Sequence, residues 1–248
     1  MKLGIVTDST SDLPNYLIEQ YALEVVPSIL ILEGKEYADG VGISREEFYT
    51  RLPSFQTQPT TAAPSIGDFS VRYDSLLRRG CDHILSIHAT GKLTTIINSA
   101  RQAAQDFPTK ITIIDSLSMS LGLGFQVLAA AETAELGLQA ALDAAESARQ
   151  RLQVFAAFDT LEYAKRSGRL PSVFATLGGL LNIKPLIELI DGEVKPVGVV
   201  RTTKQANEKI MNFLLEMGPL ERLAIMHTGA ESRAKEFLNA VMQQASQS

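Results

Sequence analysis

The chain has 248 residues, enough for one large domain or two modest ones with a core that needs no disulfide or metal staple. Apolar residues at 45% and charged residues at 21% exclude a disordered chain, and a net charge of −5 argues against a general nucleic-acid binder. A lone Cys81 excludes an internal disulfide, and no apolar run reaches the ~20 residues of a membrane span, so a cytoplasmic protein without an integral membrane segment is expected.

In chain order, Leu3–Thr7 reads as a short buried strand followed by the polar run Asp8-Ser-Thr-Ser-Asp12. Pro14 suits the first turn of a helix over Asn15–Tyr21, capped by Ser11 or Asp12. Val25–Leu32 has the length of one strand, with a turn at Glu33-Gly34-Lys35. Ser44-Arg-Glu-Glu47 is a capping box that opens a helix through about Leu52. Residues 53–64 are irregular, rich in hydroxyls and proline and free of charge. Ser65-Ile-Gly-Asp68 repeats the capping box, and Ile66, Phe69, Tyr73, Leu76 and Leu77 share one helical face. A strand at His83–Ile87, a loop, a helix over Thr94–Ala104 and a β-rich run at Thr109–Ile114 then give a βα alternation.

Residues 120–151 are helical in character, with a break at Gly137. Gln153–Phe158 is a further strand, and Leu161–Arg166 and Leu170–Leu181 look helical. Asp191-Gly192 marks a hairpin between Leu186–Ile190 and Val194–Val200, an antiparallel element not expected in the first half. A helix at Lys204–Glu216, a strand at Arg222–Met226 and a helix at Arg233–Gln244 follow. The expected fold is α/β with two domains, a mostly parallel sheet with flanking helices in residues 1–158 and a smaller α/β domain with a hairpin in residues 159–248.

Chemistry must be found without the usual phosphate loops, nucleophile elbow or zinc spacings, none of which occurs. His83 and His88 lie five apart on one strand and so point to opposite faces. Neither a metal nor a cofactor is expected. What recurs is a hydroxyl-rich loop after a strand and before a helix, at Asp8–Asp12, Thr57–Ser65 and Thr90–Thr95. Strand carboxyl ends are where open α/β sheets bind ligands, and hydroxyls with helix N–H groups can hold an oxyanion. Each hydroxyl also has a plain use. Capping accounts for Ser65 and for one of Thr94 and Thr95, whereas Thr61 lies outside the predicted helix. Asp8 and Asp12 are either a catalytic pair or an Asx turn and a cap, and Asp115-Ser116 has the same ambiguity. Charge is uneven as well. Residues 1–50 carry Lys2, Lys35 and Arg45 against nine acidic groups, while residues 161–204 hold seven basic against four acidic groups. That basic stretch is either a solvated surface or a docking face for an acidic or phosphate-bearing partner.

Val6-Thr-Asp-Ser-Thr-Ser-Asp-Leu-Pro14 resembles the amino-terminal signature of the DegV family of bacterial fatty-acid-binding proteins. Thr61-Ala-Ala-Pro-Ser65, Leu85-Ser-Ile-His88 running on to Leu93-Thr94, Asp115-Ser116 with Gly122-Leu-Gly124, Asp159–Tyr163 with Gly168-Arg169, and Leu181–Pro185 are similar to further family segments, over nearly the whole chain. The resemblance implies a long-chain fatty acid in an apolar tunnel, its carboxylate held by the hydroxyls of Thr61 and Thr94. Thr60, Ser65, Thr95 and Ser116 are possible neighbours of the ligand. It also implies presentation of the acid to a separate ATP-dependent kinase component, with Arg169 facing that partner and no catalysis by the chain itself. Ile29, Phe125, Phe158 and Leu180 are candidate tunnel walls, or ordinary core. The alternatives are an acyl-phosphate hydrolase or transferase using Asp8 or Asp115 as base, and a regulatory protein with a vestigial pocket.

The departures bear on the headgroup site. Ala62-Ala63 stands where the family has serine and glutamine, Thr94-Thr95 where it has Ser-Gly, and Gly91 where a serine is usual. Threonine keeps the hydroxyl but adds a methyl, which narrows the site. Family members usually continue to a His-Thr-Gly-Pro-Gly segment beyond the last helix. His227-Thr-Gly229 precedes that helix and is read as the end of the penultimate strand, so the headgroup site is expected to be smaller or differently completed.

Overall fold

Alternation of the β-branched and aliphatic residues in β1 (Leu3–Asp8) and β6 (His83–His88) gives each strand two apolar faces. A computed structural model describes residues 1–169 and 183–245. β1 pairs in parallel with β2 (Glu24–Val26) and β6, and β6 pairs in parallel with β7 (Ile111–Asp115), in the order β2-β1-β6-β7. Ile5, Leu85 and Ile87 point to a core shared with Leu123, Val127 and Leu128 of α5 (Leu121–Glu132) and Ala141 and Ala145 of α6 (Leu138–Arg151). Val6 and Ile84 point the other way, to Phe69, Tyr73 and Leu76 of α3 (Ile66–Arg78) and Ile96 and Ala100 of α4 (Ile96–Ala104). Burial on both faces is what a parallel sheet requires, because its crossover helices cover both sides.

The run Val25–Leu32 is two strands rather than one. Pro27, which has no N–H for a ladder, separates β2 from β3 (Ile29–Leu32). β3 joins an antiparallel sheet in the order β4-β3-β5, with β4 at Lys35–Ala38 and β5 at Thr60–Ala62. The first half therefore does contain antiparallel structure. Its hairpin turns at Glu33 and Gly34, both with positive φ. β5 also places a strand inside the segment read as irregular.

The helix α1 (Asn15–Gln20) starts after Pro14, and neither Ser11 nor Asp12 caps it; Asp12 instead ends a 3-10 turn over Ser9–Ser11 in a left-handed conformation. α2 spans Arg45–Arg51. Ser65 and Asp68 form the expected capping box on α3, although Ile66 is exposed rather than on the buried face. Gly137, with φ 104°, separates α5 from α6.

Two compact units divide the chain. The first comprises Met1–Arg45, Ser54–Val154 and Leu189–Glu193; the second takes the described parts of Glu46–Pro53, Phe155–Glu188 and Val194–Ser248. A three-stranded sheet has the order β10-β9-β8, with β8 at Val154–Ala157, β9 at Lys184–Ile190 and β10 at Glu193–Val200. β9 and β10 are joined through Asp191 and Gly192, both with positive φ, as the hairpin signal required. Phe155 stacks on Phe213 of α8 (Thr203–Glu216), 4.8 Å between ring centres. Asp159, which lies between β8 and α7 (Glu162–Arg166), pairs with Lys184 and with Arg233 of α9 (Glu231–Ala245). Arg222–Met226 forms no strand, and its apolar residues Leu223 and Ile225 are only half-buried. His227 accordingly follows no strand. The helix expected over Leu170–Leu181 and the wall candidate Leu180 lie outside the described residues. Among the described residues no helix is long and apolar enough to cross a membrane.

Candidate functional site

Three neighbouring parallel strands end in polar side chains: β1 in Asp8, β6 in His88 and β7 in Asp115, with His88 and Asp115 in register. Asp8 and His88 are wholly buried, and His88 Nδ1 lies 2.9 Å from Asp8 Oδ2. The other ring nitrogen is 2.6 Å from Ser86 Oγ, and Ser86 Oγ is 2.9 Å from the Tyr73 hydroxyl. The only order in which every proton finds an acceptor along this chain runs from Tyr73 to Ser86, from Ser86 to His88 Nε2, and from His88 Nδ1–H to Asp8. Burial pushes the Tyr73 phenol up to about 12, which keeps it a donor. Phe69 closes the site with its ring edge-on to His88, 5.1 Å between centres.

Asp8 also accepts from Ala89 N–H at 3.2 Å, from Thr10 N–H at 3.1 Å and from the Thr10 hydroxyl. Burial works to raise its pKa, but the bonds from His88, Thr10 and Ala89 outweigh it and hold the carboxyl below its ordinary value. A Ser-His-Asp order exists here, yet Ser86 exposes no surface, so the arrangement ties strands together and offers no nucleophile. Asp12, the other member of the aspartate pair, accepts from Arg45 and from Ser120. The two aspartates are thus both occupied by structural bonds. Asp115 accepts Gly91 N–H at 3.0 Å on one oxygen and Leu117 N–H at 2.9 Å on the other.

The loop after β6 carries Thr94 and Thr95. Leu93 N–H and Thr94 N–H both turn back to the Thr90 carbonyl at 3.2 Å. Thr94 is half-buried, and its hydroxyl oxygen accepts Ile96 N–H at 3.3 Å at the start of α4, a bond that does not use its proton. Thr95 is exposed at the N-cap position and caps nothing with its side chain. Ser116, after β7, is wholly buried and spends its hydroxyl on the Ser118 carbonyl at 3.1 Å. Its N–H donates to the His88 carbonyl at 3.0 Å, so Ser116 and the Thr94 loop share the carboxyl edge of the parallel sheet.

Thr60 and Thr61 sit elsewhere in the first unit, exposed on β5 at the edge of the antiparallel sheet, with Thr61 opposite Leu30. Ser65 is bound to Asp68 by its capping box, the plain use of that hydroxyl. Arg169 belongs to the second unit and is exposed just after Gly168, with its N–H 3.3 Å from Ser167 Oγ. Phe125 packs against the core on the α5 side of the parallel sheet, and Ile29 and Phe158 are half-buried.

Sequence reasoning missed Tyr73, Ser86, His88, Arg45 and Ser120. Ser86 and His88 are two apart on a strand and so share a face, which was a usable signal; Tyr73, by contrast, reads only as a core aromatic. The buried hydroxyls of Thr7 and Ser28 have no hydrogen-bond partner among the described residues. Among those residues no group of three or more His, Cys, Asp or Glu could hold a metal ion.

Residues 2–248 match the family model described as "Uncharacterised protein, DegV family". A DegV domain-containing protein of Caldanaerobacter subterraneus is 36% identical over 97% of this chain and 86% of its own length. Among solved structures, a DegV family protein of Thermus thermophilus described by its fatty acid binding is 39% identical, with a TM-score of 0.80 over 88% of this chain and 78% of that one. DegV of Bacillus subtilis, described as a fatty acid binding protein, is 26% identical, with a TM-score of 0.87 over 98% of this chain and 89% of that one.

Proposed function

The chain belongs to the DegV family, and on that premise we propose that it binds a long-chain fatty acid and carries it without transforming it. The observation that carries this reading is the likeness, at 39% identity, to the Thermus thermophilus protein described by its fatty acid binding. In this reading the acyl chain lies against apolar walls that include Ile29 and Phe125 of the first unit. Its burial contributes about 0.8 kcal/mol per methylene, most of the affinity. The carboxylate costs several kcal/mol to bury unless it is hydrogen-bonded. Thr94 and Thr61 donate to it, with Thr60 and Thr95 nearby. Thr94 is suited to this because Ile96 N–H already fills its acceptor side.

Hydroxyl donors neutralise the headgroup only in part, so the carboxylate oxygen stays nucleophilic toward a phosphoryl donor. A cationic clamp would hold the acid more tightly and make it less reactive. A separate ATP-dependent kinase in the same cytoplasm would then act on the presented acid, docking near Arg169. The hydrolase reading is weaker, because both of its bases, Asp8 and Asp115, are already engaged by backbone N–H groups.

Native mass spectrometry of the freshly purified protein tests the reading, with acyl species then identified after denaturing extraction. The expected result is a bound long-chain acid, or its uptake on incubation with palmitate. No acyl species in any preparation, and none taken up, would overturn it.

A further inference from the structure

We propose that Asp8 and Asp115 are positioning residues that clamp the loop bearing Thr94 from its two sides. The inference rests on the reading above, in which Thr94 donates to a carboxylate, and it adds how that donor is held. β6 lies between β1 and β7, and each flanking strand ends in an aspartate. Asp8 takes Ala89 N–H at 3.2 Å, and Asp115 takes Gly91 N–H at 3.0 Å. Between them, Thr90 N–H is fixed on the Ser118 carbonyl at 2.9 Å. Three consecutive N–H groups of one loop are thus held, two by the neighbouring strand ends and one by the loop after β7. The Thr90 carbonyl then receives Leu93 N–H and Thr94 N–H, so the position of Thr94 follows from the placement of residues 89–91.

Both carboxylates need two acceptor oxygens for this. Asp8 divides them between Thr10 on one oxygen and His88 with Ala89 on the other, and Asp115 between Leu117 and Gly91. An asparagine has one acceptor and would turn an NH₂ group toward an N–H at the other contact. Gly91 belongs to the same device. A Cβ there would stand 3.2 Å from Asp115 Oδ2 and 3.3 Å from Ile97 Cγ2, so a side chain presses on the carboxylate that holds it.

The test compares palmitate and hexadecanol binding in wild type, Asp115→Asn, Thr94→Val and the double variant. Asp115→Asn is expected to weaken palmitate about tenfold and hexadecanol by less than about threefold. In the Thr94→Val background it should cost palmitate little more, because coupled residues are not additive. Equal loss for both ligands, or the full tenfold loss in the Thr94→Val background, overturns the clamp. If Asp115→Asn does not fold, Gly91→Ala displaces the same carboxylate and is judged by the same two criteria. The underlying reading fails separately, and the clamp with it, if wild type takes up no palmitate or if Thr94→Val alone leaves palmitate binding intact.

Discussion

His88 Nδ1 stands 2.9 Å from Asp8 Oδ2, and neither side chain exposes any surface. The pair joins the last residues of two adjacent strands, and Ser86 and Tyr73 extend it to α3. A polar chain of this kind inside a core costs little while every member is satisfied, and much when one is removed.

The order of donors sets unequal costs for two substitutions. Ser86→Ala leaves both the Tyr73 hydroxyl and His88 Nε2 without partners in a dry site, and is expected to destabilise by about 2–4 kcal/mol. Tyr73→Phe removes only the terminal donor, whose loss leaves Ser86 still donating to His88, and should cost about 1 kcal/mol. Urea denaturation of the two variants measures the difference. Equal losses would mean that the protons do not run from Tyr73 through Ser86 to His88.

For the headgroup, Thr61→Val together with Thr94→Val should weaken uptake of palmitate by about tenfold or more, and that of hexadecanol much less, since valine keeps the volume and removes only the donors. Competitive binding assays with the two ligands give the comparison. Equal loss for acid and alcohol would show that these hydroxyls do not hold the carboxylate.

Much of this edge was legible in the sequence, because Asp8–Asp12 and Thr90–Thr95 follow short runs of strand length that are buried on both faces. The two-sided core and the Asp191-Gly192 turn were legible for the same local reason. What escaped was set by partners distant in sequence. His88 acquires its role from Asp8, 80 residues away, and Ser120 from Asp12, 108 away. β5 is three residues long and exists as a strand only because β3 offers it an edge. The run at Arg222–Met226 shows the converse, since a β-like composition does not make a strand unless a ladder is formed.

In the second unit, the hydrogen bond from Arg233 and then that from Lys184 hold the Asp159 carboxyl down to about 2, against an ordinary value of 3.8. A group depressed on folding contributes stability that is full above its unfolded pKa and is lost as pH falls through its folded one. The window is therefore between about 3.8 and about 2. The side chain is 49% exposed, and solvent screening leaves this contribution on the order of 1 kcal/mol. NMR titration of the Asp159 carboxyl should place its midpoint near 2, and Arg233→Gln should move it up. A wild-type midpoint near 3.8 would show that the two cations do not engage it in solution.

Gly192 and Gly34 share a backbone conformation, φ 78° and 79°, at the second positions of two hairpin turns, but not a neighbourhood. Around Gly34 a Cβ would meet nothing within 4 Å, so Gly34→Ala should cost only the left-handed strain, about 1 kcal/mol. At Gly192 the Cβ would overlap the Thr90 hydroxyl and stand 3.1 Å from Thr90 Cβ. Thr90 is wholly buried and is fixed by its N–H bond to Ser118, so it has little room to yield. Gly192→Ala is accordingly expected to lose about 1–3 kcal/mol more than Gly34→Ala in urea denaturation. It should also weaken palmitate binding, because the displaced Thr90 carbonyl is the acceptor that holds Thr94 N–H. Matching losses in the two variants would mean that the hairpin tip does not rest on Thr90. A full stability loss with palmitate binding unchanged would detach Thr90 from the placement of Thr94.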